Sequence, residues 1–123
     1  MKNAVVVGGN GGVGSKLIDA LKNEWYKVIS ITRNECDLAN YEQIKKSILK
    51  IKKDFKSIDL LVNAAGIATY KNLTEVSDED IQDSFMVNTI APAIFIRELL
   101  PLRNNKDSLV LNIGSGAGVI PMK

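Results

Sequence analysis

A glycine-rich stretch, GGNGGVGSK from Gly8 to Lys16, holds the residues whose types and spacing are best suited to chemistry. It follows the apolar run Ala4–Val7 and precedes a segment with helical periodicity. A strand, a glycine turn and a helix together form a phosphate-binding arrangement, because the backbone N–H groups at the start of the helix face an anion. The stretch therefore predicts a nucleotide or dinucleotide site.

Two phosphate-binding motifs compete for this stretch. The P-loop of mononucleotide-binding proteins has the form G-x-x-x-x-G-K-[ST], with the lysine directly after the glycine. Here Ser15 follows Gly14 and Lys16 comes second, and a shift of one residue turns a helical side chain by about 100°. The later apolar segments DLLVNAAG and SLVLNIGS also end without a carboxylate that could hold magnesium. The pattern therefore argues against a nucleoside triphosphatase.

The dinucleotide-binding turn gives a separate task to each of three glycines. Gly8 would make the tight turn after the strand, Gly12 would let the backbone approach a pyrophosphate, and Gly14 would let the helix pack closely. The spacing is G-x-x-x-G-x-G rather than the commoner G-x-G-x-x-G, so a glycine turn that binds nothing stays open as the alternative.

Several kinds of catalytic site are excluded by the residue types present. The chain contains no histidine and a single cysteine, Cys36. A Ser-His-Asp triad, a histidine general base and an intrachain disulfide are therefore impossible. Histidine and multi-thiolate zinc sites are excluded as well, and we predict no metal site.

Length and composition favour one domain over residues 1–123. The net charge of +2 gives no reason to expect nucleic acid or an anionic membrane as a partner. We identify no apolar run of the roughly 20 residues that span a bilayer. We expect no signal peptide before the first strand, and with one cysteine we expect a cytoplasmic location.

Apolar runs and helical periodicities alternate along the chain, which indicates an α/β fold. We predict a Rossmann-like, doubly wound parallel sheet that is incomplete, with about four main strands in the order 2-1-3-4 and three helices. The strands are predicted at Ala4–Val7, Val28–Thr32, Asp59–Ala65 and Ser108–Gly114. The helices are predicted over 12–25, after Asn40, and from Ser77 to about Leu102 with a disturbance near Pro92. The segment ECDL is too short for a crossover and is predicted to be a loop.

One face of this sheet lacks cover in the predicted fold. Right-handed crossovers place the first helix, with Val13, Leu17 and Leu21 on its buried side, on one face and the other two helices on the opposite face. Leu60–Ala65 and Leu109–Ile113 are apolar at both alternating sets of positions, as in strands covered on both faces. We therefore expect missing chain, a partner or an exposed patch, with a homo-oligomer or association through this face.

Four segments together resemble the short-chain dehydrogenase/reductase family. VGGNGGVG resembles its T-G-x-x-x-G-[IV]-G turn, with Val7 in the threonine position, and CDL resembles the motif whose aspartate touches adenine. LVNAAG resembles L-V-N-N-A-G, with Ala64 in place of the second asparagine. NIGSGAG resembles the strand end that carries the catalytic serine. Their order and spacing agree over the whole chain.

The resemblance implies a role for each matched position. Ser115 would hydrogen-bond the substrate carbonyl, and Asn88, in MVNTIAP, would hold a water of the proton relay. The implied cofactor contacts are Gly8, Asn10, Gly12, Val13 and Gly14 in the turn, Asp37 and Leu38 at adenine, and Asn63, Ala64 and Gly66 at the nicotinamide-side ribose. Plainer roles stay open, since Asn63 can tie two strands, Asn88 can relieve a kink and Asp37 can cap a turn.

The end of the second strand indicates the choice of cofactor. NAD-binding proteins of this fold place an acid there for the ribose 2′-hydroxyl, whereas an arginine accommodates a 2′-phosphate. This chain has Thr32 and Arg33, with no acid before Glu35, which favours NADP(H) over NAD(H). A solvated loop charge is the alternative explanation of Arg33.

The family's proton-transfer residues form a Y-x-x-x-K motif on the helix after the serine-bearing strand. The tyrosines of this chain, Tyr26, Tyr41 and Tyr70, all precede that strand. We therefore expect an N-terminal portion of a reductase that ends before this helix and is inactive alone.

The leading hypothesis is an NADP(H)-dependent carbonyl reductase or alcohol dehydrogenase acting on a small carbonyl or alcohol substrate. A non-catalytic dinucleotide-binding or interaction module is the alternative. The third hypothesis is a sugar-nucleotide epimerase of the family's extended branch. It is less favoured, because the glycine spacing of this chain is of the classical type.

Overall fold

A parallel sheet forms the centre of the chain, for which a computed structural model describes residues 1–68, 71–104 and 107–114. Its strands are β1 (Asn3–Val7), β2 (Lys27–Ile31), β3 (Leu60–Asn63) and β4 (Leu109–Asn112), in the order β2-β1-β3-β4. All three pairings are parallel. The chain leaves β1 first toward β2 and then returns to the other side, so a crevice opens beyond the carboxyl ends of the strands. The predicted fold class and strand order are confirmed.

Two of the four α-helices within the described residues begin at a side-chain cap that the sequence supplies. They are α1 (Gly12–Asn23), α2 (Tyr41–Asp54), α3 (Asp78–Phe85) and α4 (Ala91–Leu99). The Asn40 side chain accepts a hydrogen bond from the Gln43 backbone N–H at the start of α2. Ser77 and Asp80 form a reciprocal capping box at the start of α3, which confirms the predicted N-terminus.

The predicted long third helix consists of several helical segments. A π-helical segment, Met86–Ile90, joins α3 to α4, and a short 3₁₀ turn, Leu100–Leu102, follows α4. Pro92 has no N–H to donate to the carbonyl of Asn88 four residues earlier, so regular α-helical bonding cannot continue through this point. The predicted disturbance near Pro92 is confirmed.

The main core lies on the face of the sheet that α2 and α4 cover. Alternate strand residues, Val5 and Val7 of β1 and Leu61 of β3, point to this face. They pack in one cluster with the helix residues Ile44, Ile48, Ile51, Ala91, Ile94, Phe95 and Leu99. The predicted placement of α2 and the third helix on one face is therefore correct.

The opposite face is covered by α1, which packs against β1 and β2. Leu17, Ile18 and Leu21 of α1 are only half-buried. The prediction that Val13 shares their buried side is wrong, because Val13 lies in the first turn of α1 and is 52% exposed.

The exposed apolar surface is smaller than predicted. On β3 both Leu61 and Val62 are buried, so the expectation that Leu60–Ala65 lies open is wrong for these residues. On β4 the expectation is confirmed, since Leu109, Leu111 and Ile113 are 59%, 36% and 40% exposed. β3 is protected because it lies between two strands, whereas β4 is the last strand of the described sheet.

The stretch Asp78–Leu102 is long and apolar enough to cross a membrane by length and composition. Its most apolar window has a mean hydropathy of 1.4, so the expectation that no such run exists is wrong. The same stretch buries Ala91, Phe95 and Leu99 against the sheet, as a core helix does. Length and composition are therefore weak evidence for a membrane span here.

Candidate functional site

A cleft of about 310 Å³ lies beyond the carboxyl ends of the strands. Its walls are the glycine turn after β1, the loop after β2, the segment after β3, and parts of α3 and of the π-helical segment. The predicted cofactor residues that line it are Gly8, Asn10, Arg33, Asp37, Leu38, Ala64 and Gly66. The fold therefore gathers positions from three separate motifs into one cavity.

Gly8 makes the turn that leaves β1. Its φ of +91° is in the left-handed region that favours glycine, and its N–H donates to the Ile31 carbonyl at 2.8 Å. A Cβ at this position would lie 2.6 Å from the backbone nitrogen of Ala65. The backbone of the turn thus lies directly against the backbone of the segment after β3, and a side chain at this position would not fit between them.

The first turn of α1 is free of side-chain caps. Its N-cap is Gly11, and the turn carries no acidic residue, so the N–H groups of Gly12 and Val13 are left for an external anion. A Cβ on Gly12 would meet nothing within 4 Å, so open space lies in front of it. A Cβ on Gly14 would collide with the carbonyl oxygen of Gly8, so Gly14 lets the helix approach the turn.

Lys16 does not take part in this arrangement. It is exposed on α1 and does not line the cleft. This agrees with the sequence, in which Lys16 comes one residue later than the lysine of a P-loop. A P-loop lysine must reach the phosphates held by the loop. The geometry therefore agrees with the dinucleotide interpretation of the turn.

Asp37 has a local structural task in addition to its place in the cleft. One carboxylate oxygen accepts a hydrogen bond from the Ala39 N–H at 2.9 Å, and the Asp37 N–H donates to the Gln43 side chain at 2.7 Å. Gln43 thus holds Asp37 rather than completing a capping box with Asn40. The turn-capping role considered for Asp37 is present, and its second oxygen has no partner among the described residues.

Arg33 and Cys36 form two contrasting parts of the same wall. Arg33 is exposed, lines the cleft, and makes no ion pair within the described ranges. Cys36 is buried, and burial raises the pKa of its thiol. The thiol is therefore a neutral packing group at the bottom of the loop, whereas the guanidinium is available to an anion.

Asn63 lies in the sheet rather than in the cleft wall. Its side-chain nitrogen donates to the side-chain oxygen of Asn112 on β4 at 2.9 Å. The strand-tying role considered for Asn63 is therefore present. Its own side-chain oxygen is buried and has no hydrogen-bond partner within the described part of the chain.

Asn88 uses its side chain to hold the segment after β3. The amide oxygen accepts from the Ile67 N–H and the amide nitrogen donates to the Ile67 carbonyl, both at 2.8 Å. A Cβ on Gly66 would lie only 3.3 Å from the Asn88 amide oxygen. The side chain is thus occupied by backbone groups, and Asn88 does not itself line the cleft.

Other cleft residues were not identified from the sequence. They are Gly11, Ile31, Thr32, Cys36, Ala39, Ala65, Ile67, Asp83 and Val87. Most are neighbours of predicted positions, so extending each motif by one or two residues would have found them. Asp83 and Val87 had no clear signal in the sequence, because Val87 lies in a π-helical segment where α-helical spacing does not apply.

Two further positions complete the comparison with the sequence. Ser115, the predicted catalytic serine, lies outside the described residues.

Tyr41 and Lys45 have the spacing of Y-x-x-x-K, but they lie in the first turns of α2 and line a groove between α2 and α4. They are outside the cleft, so they cannot serve as its proton-transfer pair.

Comparison with known proteins decides the family. The model of the short chain dehydrogenase family matches residues 32–123, which is most of the chain. The chain belongs to the short-chain dehydrogenase family. This membership confirms the resemblance found in the sequence motifs, and the parallel Rossmann-like sheet agrees with it.

Relatives and solved structures of this family cover nearly the whole chain. A human protein, dehydrogenase/reductase SDR family member 11, is 29% identical over 97% of this chain and 56% of its own length. An oxidoreductase (short chain dehydrogenase/reductase) from Brucella ovis is 25% identical with a TM-score of 0.88 over 99% of this chain and 65% of its own. A 4-hydroxyisoleucine dehydrogenase complexed with NADH has the same identity and TM-score over 99% of this chain and 59% of its own. The chain spans about half the length of the curated relatives it matches.

Proposed function

We propose that this chain is the cofactor-binding portion of an NADP(H)-dependent oxidoreductase of the carbonyl reductase or alcohol dehydrogenase type. The observation that carries the proposal is the cleft beyond the parallel strands, in which the glycine turn, Asp37 and Gly66 meet. The uncapped first turn of α1 and the open space in front of Gly12 fit a pyrophosphate closely approached by backbone.

Each wall of the cleft would bind a different part of the dinucleotide. The N–H groups of Gly12 and Val13 would donate to the pyrophosphate, with Asn10 beside them. The free oxygen of Asp37 and the side chain of Leu38 would contact adenine, and Ala64 and Gly66 would line the nicotinamide-side ribose. The nicotinamide, when bound, supplies or accepts a hydride, and the protein excludes water and fixes the orientation of the reacting groups.

Asn63 and Asn88 would act by positioning this site. Asn63 joins the ends of β3 and β4, the strands that flank the nicotinamide side. The Asn88 side chain fixes the backbone at Ile67, and we propose that Asn88 also holds a water of the proton relay. Ser115 would hydrogen-bond the substrate carbonyl.

Arg33 supports the choice of NADP(H). Its guanidinium lines the cleft at the end of β2 and has no ionic partner in the described structure, so it is available to pair with a 2′-phosphate. The nearest acid, Glu35, accepts a hydrogen bond from the Thr32 hydroxyl at 3.3 Å. An exposed arginine beside a phosphate binds it through charge-assisted hydrogen bonds.

Replacement of Arg33 by Asp tests this choice. We expect the affinity for NADPH to fall by about tenfold or more while the affinity for NADH stays the same or rises, because one charge-assisted pair is lost and a carboxylate is gained. Titration calorimetry of both cofactors measures the ratio. Lys50→Asp, an equal charge change at an exposed position of α2, is the control. An unchanged NADPH to NADH ratio in Arg33→Asp would show that Arg33 is only a solvated charge.

A non-catalytic dinucleotide-binding module is the second candidate. Tyr41 and Lys45, which match the Y-x-x-x-K spacing, lie outside the cleft. We therefore expect the 123-residue polypeptide to bind dinucleotide yet to oxidise NADPH with carbonyl substrates no faster than background. The rate of NADPH oxidation is measured by the loss of absorbance at the nicotinamide band, with a short-chain reductase as positive control. Clear turnover would contradict this second candidate function.

A further inference from the structure

The charges of the molecule are distributed unevenly between the two edges of the sheet. Each helix runs back from the carboxyl end of one strand toward the start of the next, so helix ends and strand starts share one edge. Cations are favoured at helix ends. The exposed cations of this edge, which we call the basic edge, are Lys2, Lys22, Lys27, Lys53, Lys56 and Arg103. They outnumber its exposed acids among the described residues, which are Glu24, Asp54 and Asp107. The small net charge of +2 therefore conceals a basic surface.

Short contacts hold the parts of the basic edge together. The Lys27 N–H donates to the Lys2 carbonyl at 2.8 Å, and the Asn3 side chain donates to the Ser57 carbonyl at 2.9 Å. The Lys27 ammonium nitrogen lies 5.9 Å from the centre of the Phe55 ring, at the end of α2. Cations from β1, β2 and α2 therefore lie on one surface.

Trp25, the only tryptophan of the chain, lies exposed at the basic edge. It follows α1 with a φ of +66°; its N–H donates to the Lys22 carbonyl at 3.1 Å, and the Tyr26 N–H donates to the Leu21 carbonyl at 3.0 Å. Glycine is the usual residue at such a left-handed helix end. Trp25 is nevertheless 78% exposed, and Met1, on the chain that runs beside this turn, is 87% exposed. A tryptophan is strained at this φ and buries little surface here, so the stability of the fold does not explain it.

We propose that the basic edge binds an anionic lipid surface, with Trp25 and Met1 at the level of the head groups. The indole is apolar with one polar N–H, and this combination favours the boundary between lipid and water. The lysines have long apolar stems and terminal charges that reach anionic head groups. This inference goes beyond the proposed function and does not depend on it.

The position of the cleft fits this orientation. The cleft lies beyond the carboxyl ends of the strands, at the edge of the sheet opposite to Trp25. The start of α3 on that side carries the exposed acids Asp78 and Glu79, which an anionic surface repels. The basic edge rather than the cleft should therefore face the lipid, and bound NADPH should leave the affinity for vesicles unchanged.

The fluorescence of Trp25 in the full chain tests the proposal, because no other tryptophan contributes to the signal. Vesicles of phosphatidylcholine and phosphatidylserine in equal parts should shift its emission to shorter wavelengths, and vesicles of phosphatidylcholine alone should not. Added salt should weaken the binding, because it screens the charges. No shift with the anionic vesicles, or an equal shift with the neutral ones, would overturn the proposal.

Trp25→Gly separates binding from stability. Glycine accepts the positive φ, so the variant should be at least as stable as the wild type in urea unfolding. Its affinity for the anionic vesicles, measured by sedimentation with them, should fall about tenfold, because no indole enters the lipid boundary. Leu73→Ala, at a position after β3 that is 87% exposed, is the control and should keep the wild-type affinity. An unchanged affinity in Trp25→Gly would overturn the proposal.

Charge reversals on α2 test the cations. Lys53→Glu, in the last turn, should weaken binding to the anionic vesicles by about fivefold or more, because each basic residue near the surface adds to the attraction. Lys46→Glu, exposed about two turns earlier, is the matched control and should have a smaller effect. Equal losses in both variants would overturn the proposed orientation. Equally tight binding to heparin, a soluble polyanion, without a shift of the Trp25 emission would overturn the lipid surface as the partner. Far-UV circular dichroism verifies that each variant is folded.

Discussion

The glycines of the turn are required for different physical reasons. Gly8 is fixed by its own backbone, since its φ is +91° and the backbone of Ala65 fills the space of a side chain. Gly12 has ordinary helical surroundings and open space in front of it. The first residue is therefore a requirement of the fold, and we propose that the second is a requirement of the bound dinucleotide.

Paired substitutions separate these two requirements. Gly8→Ala should lower the free energy of unfolding by roughly 1–3 kcal/mol, because an alanine is strained at a positive φ and contacts Ala65 too closely. Gly12→Ala should leave the stability the same or up to about 1 kcal/mol higher, because alanine favours the helix. The same variant should bind NADPH about tenfold more weakly, because its methyl group occupies the space proposed for the phosphates. Urea unfolding and cofactor titration measure both quantities, and undiminished NADPH affinity in Gly12→Ala would contradict the proposed pyrophosphate position.

The helices show how local caps and one proline set the geometry of the site. Ser77 and Asp80 start α3 at the residue the sequence predicts, which fixes the positions of Asp83 and Asn88 along the helix. Pro92 then interrupts regular bonding, and the π-helical segment Met86–Ile90 carries Asn88 toward Ile67. The π-helical segment changes the rotation of side chains around the helix axis, so sequence spacing alone does not give the side to which each one points.

We expect the Asp80 carboxyl, which pairs with Lys71 and belongs to the capping box of α3, to make a pH-dependent contribution to stability. Hydrogen bonds from the Lys71 ammonium and then from the Ser77 backbone N–H hold the pKa of the Asp80 carboxyl below its usual value of 3.8. A lowered folded-state pKa means that this stabilisation is complete above the unfolded-state pKa and is lost as the pH falls through the folded-state pKa.

Asp80→Asn should therefore lose less stability than the wild type when the pH is lowered from about 5 to about 2. Urea unfolding midpoints at several pH values within this range measure the difference. Glu79→Gln removes a neighbouring exposed carboxyl outside the capping box and serves as the control, with a pH dependence close to that of the wild type. Parallel curves for Asp80→Asn and the wild type would show that the box carries no pH-dependent stability.

The distribution of apolar surface over the whole molecule is uneven. The face under α2 and α4 is densely covered, and β1 and β3 are protected within the sheet. Leu109, Leu111 and Ile113 of the β4 region instead form an exposed row on the other face. Such a row costs free energy in water unless another surface covers it, and we propose that a second copy of this chain associates through it.

Leu111→Lys tests this association. The side chain is partly exposed on the solvent face of β4, so the folded chain should keep its stability within about 0.5 kcal/mol. The lysine should weaken self-association and reduce the binding of a dye specific for apolar surface. Sedimentation velocity over a range of concentrations measures the first effect. Leu49→Lys, at an exposed position on α2, is the control, and a wild-type chain that stays monomeric with little dye binding would contradict the proposal.

The sequence by itself determined the features that depend on local order. The strand, glycine turn and helix at Gly8–Gly14, the alternation of elements, the caps at Asn40 and Ser77 and the family motifs are all readable along the chain. The strand order also followed, because the handedness of parallel crossovers leaves few arrangements.

Only the tertiary structure decided which distant side chains meet. The pairing of Asn63 with Asn112, the bonds from Asn88 to Ile67 and the place of Asp83 in the cleft each join elements far apart in the chain. The structure also buried Val62 and exposed Val13, against expectation. These outcomes depend on how far each helix is rotated and shifted over the sheet. Packing of many side chains together sets that rotation, and the spacing within any single motif does not.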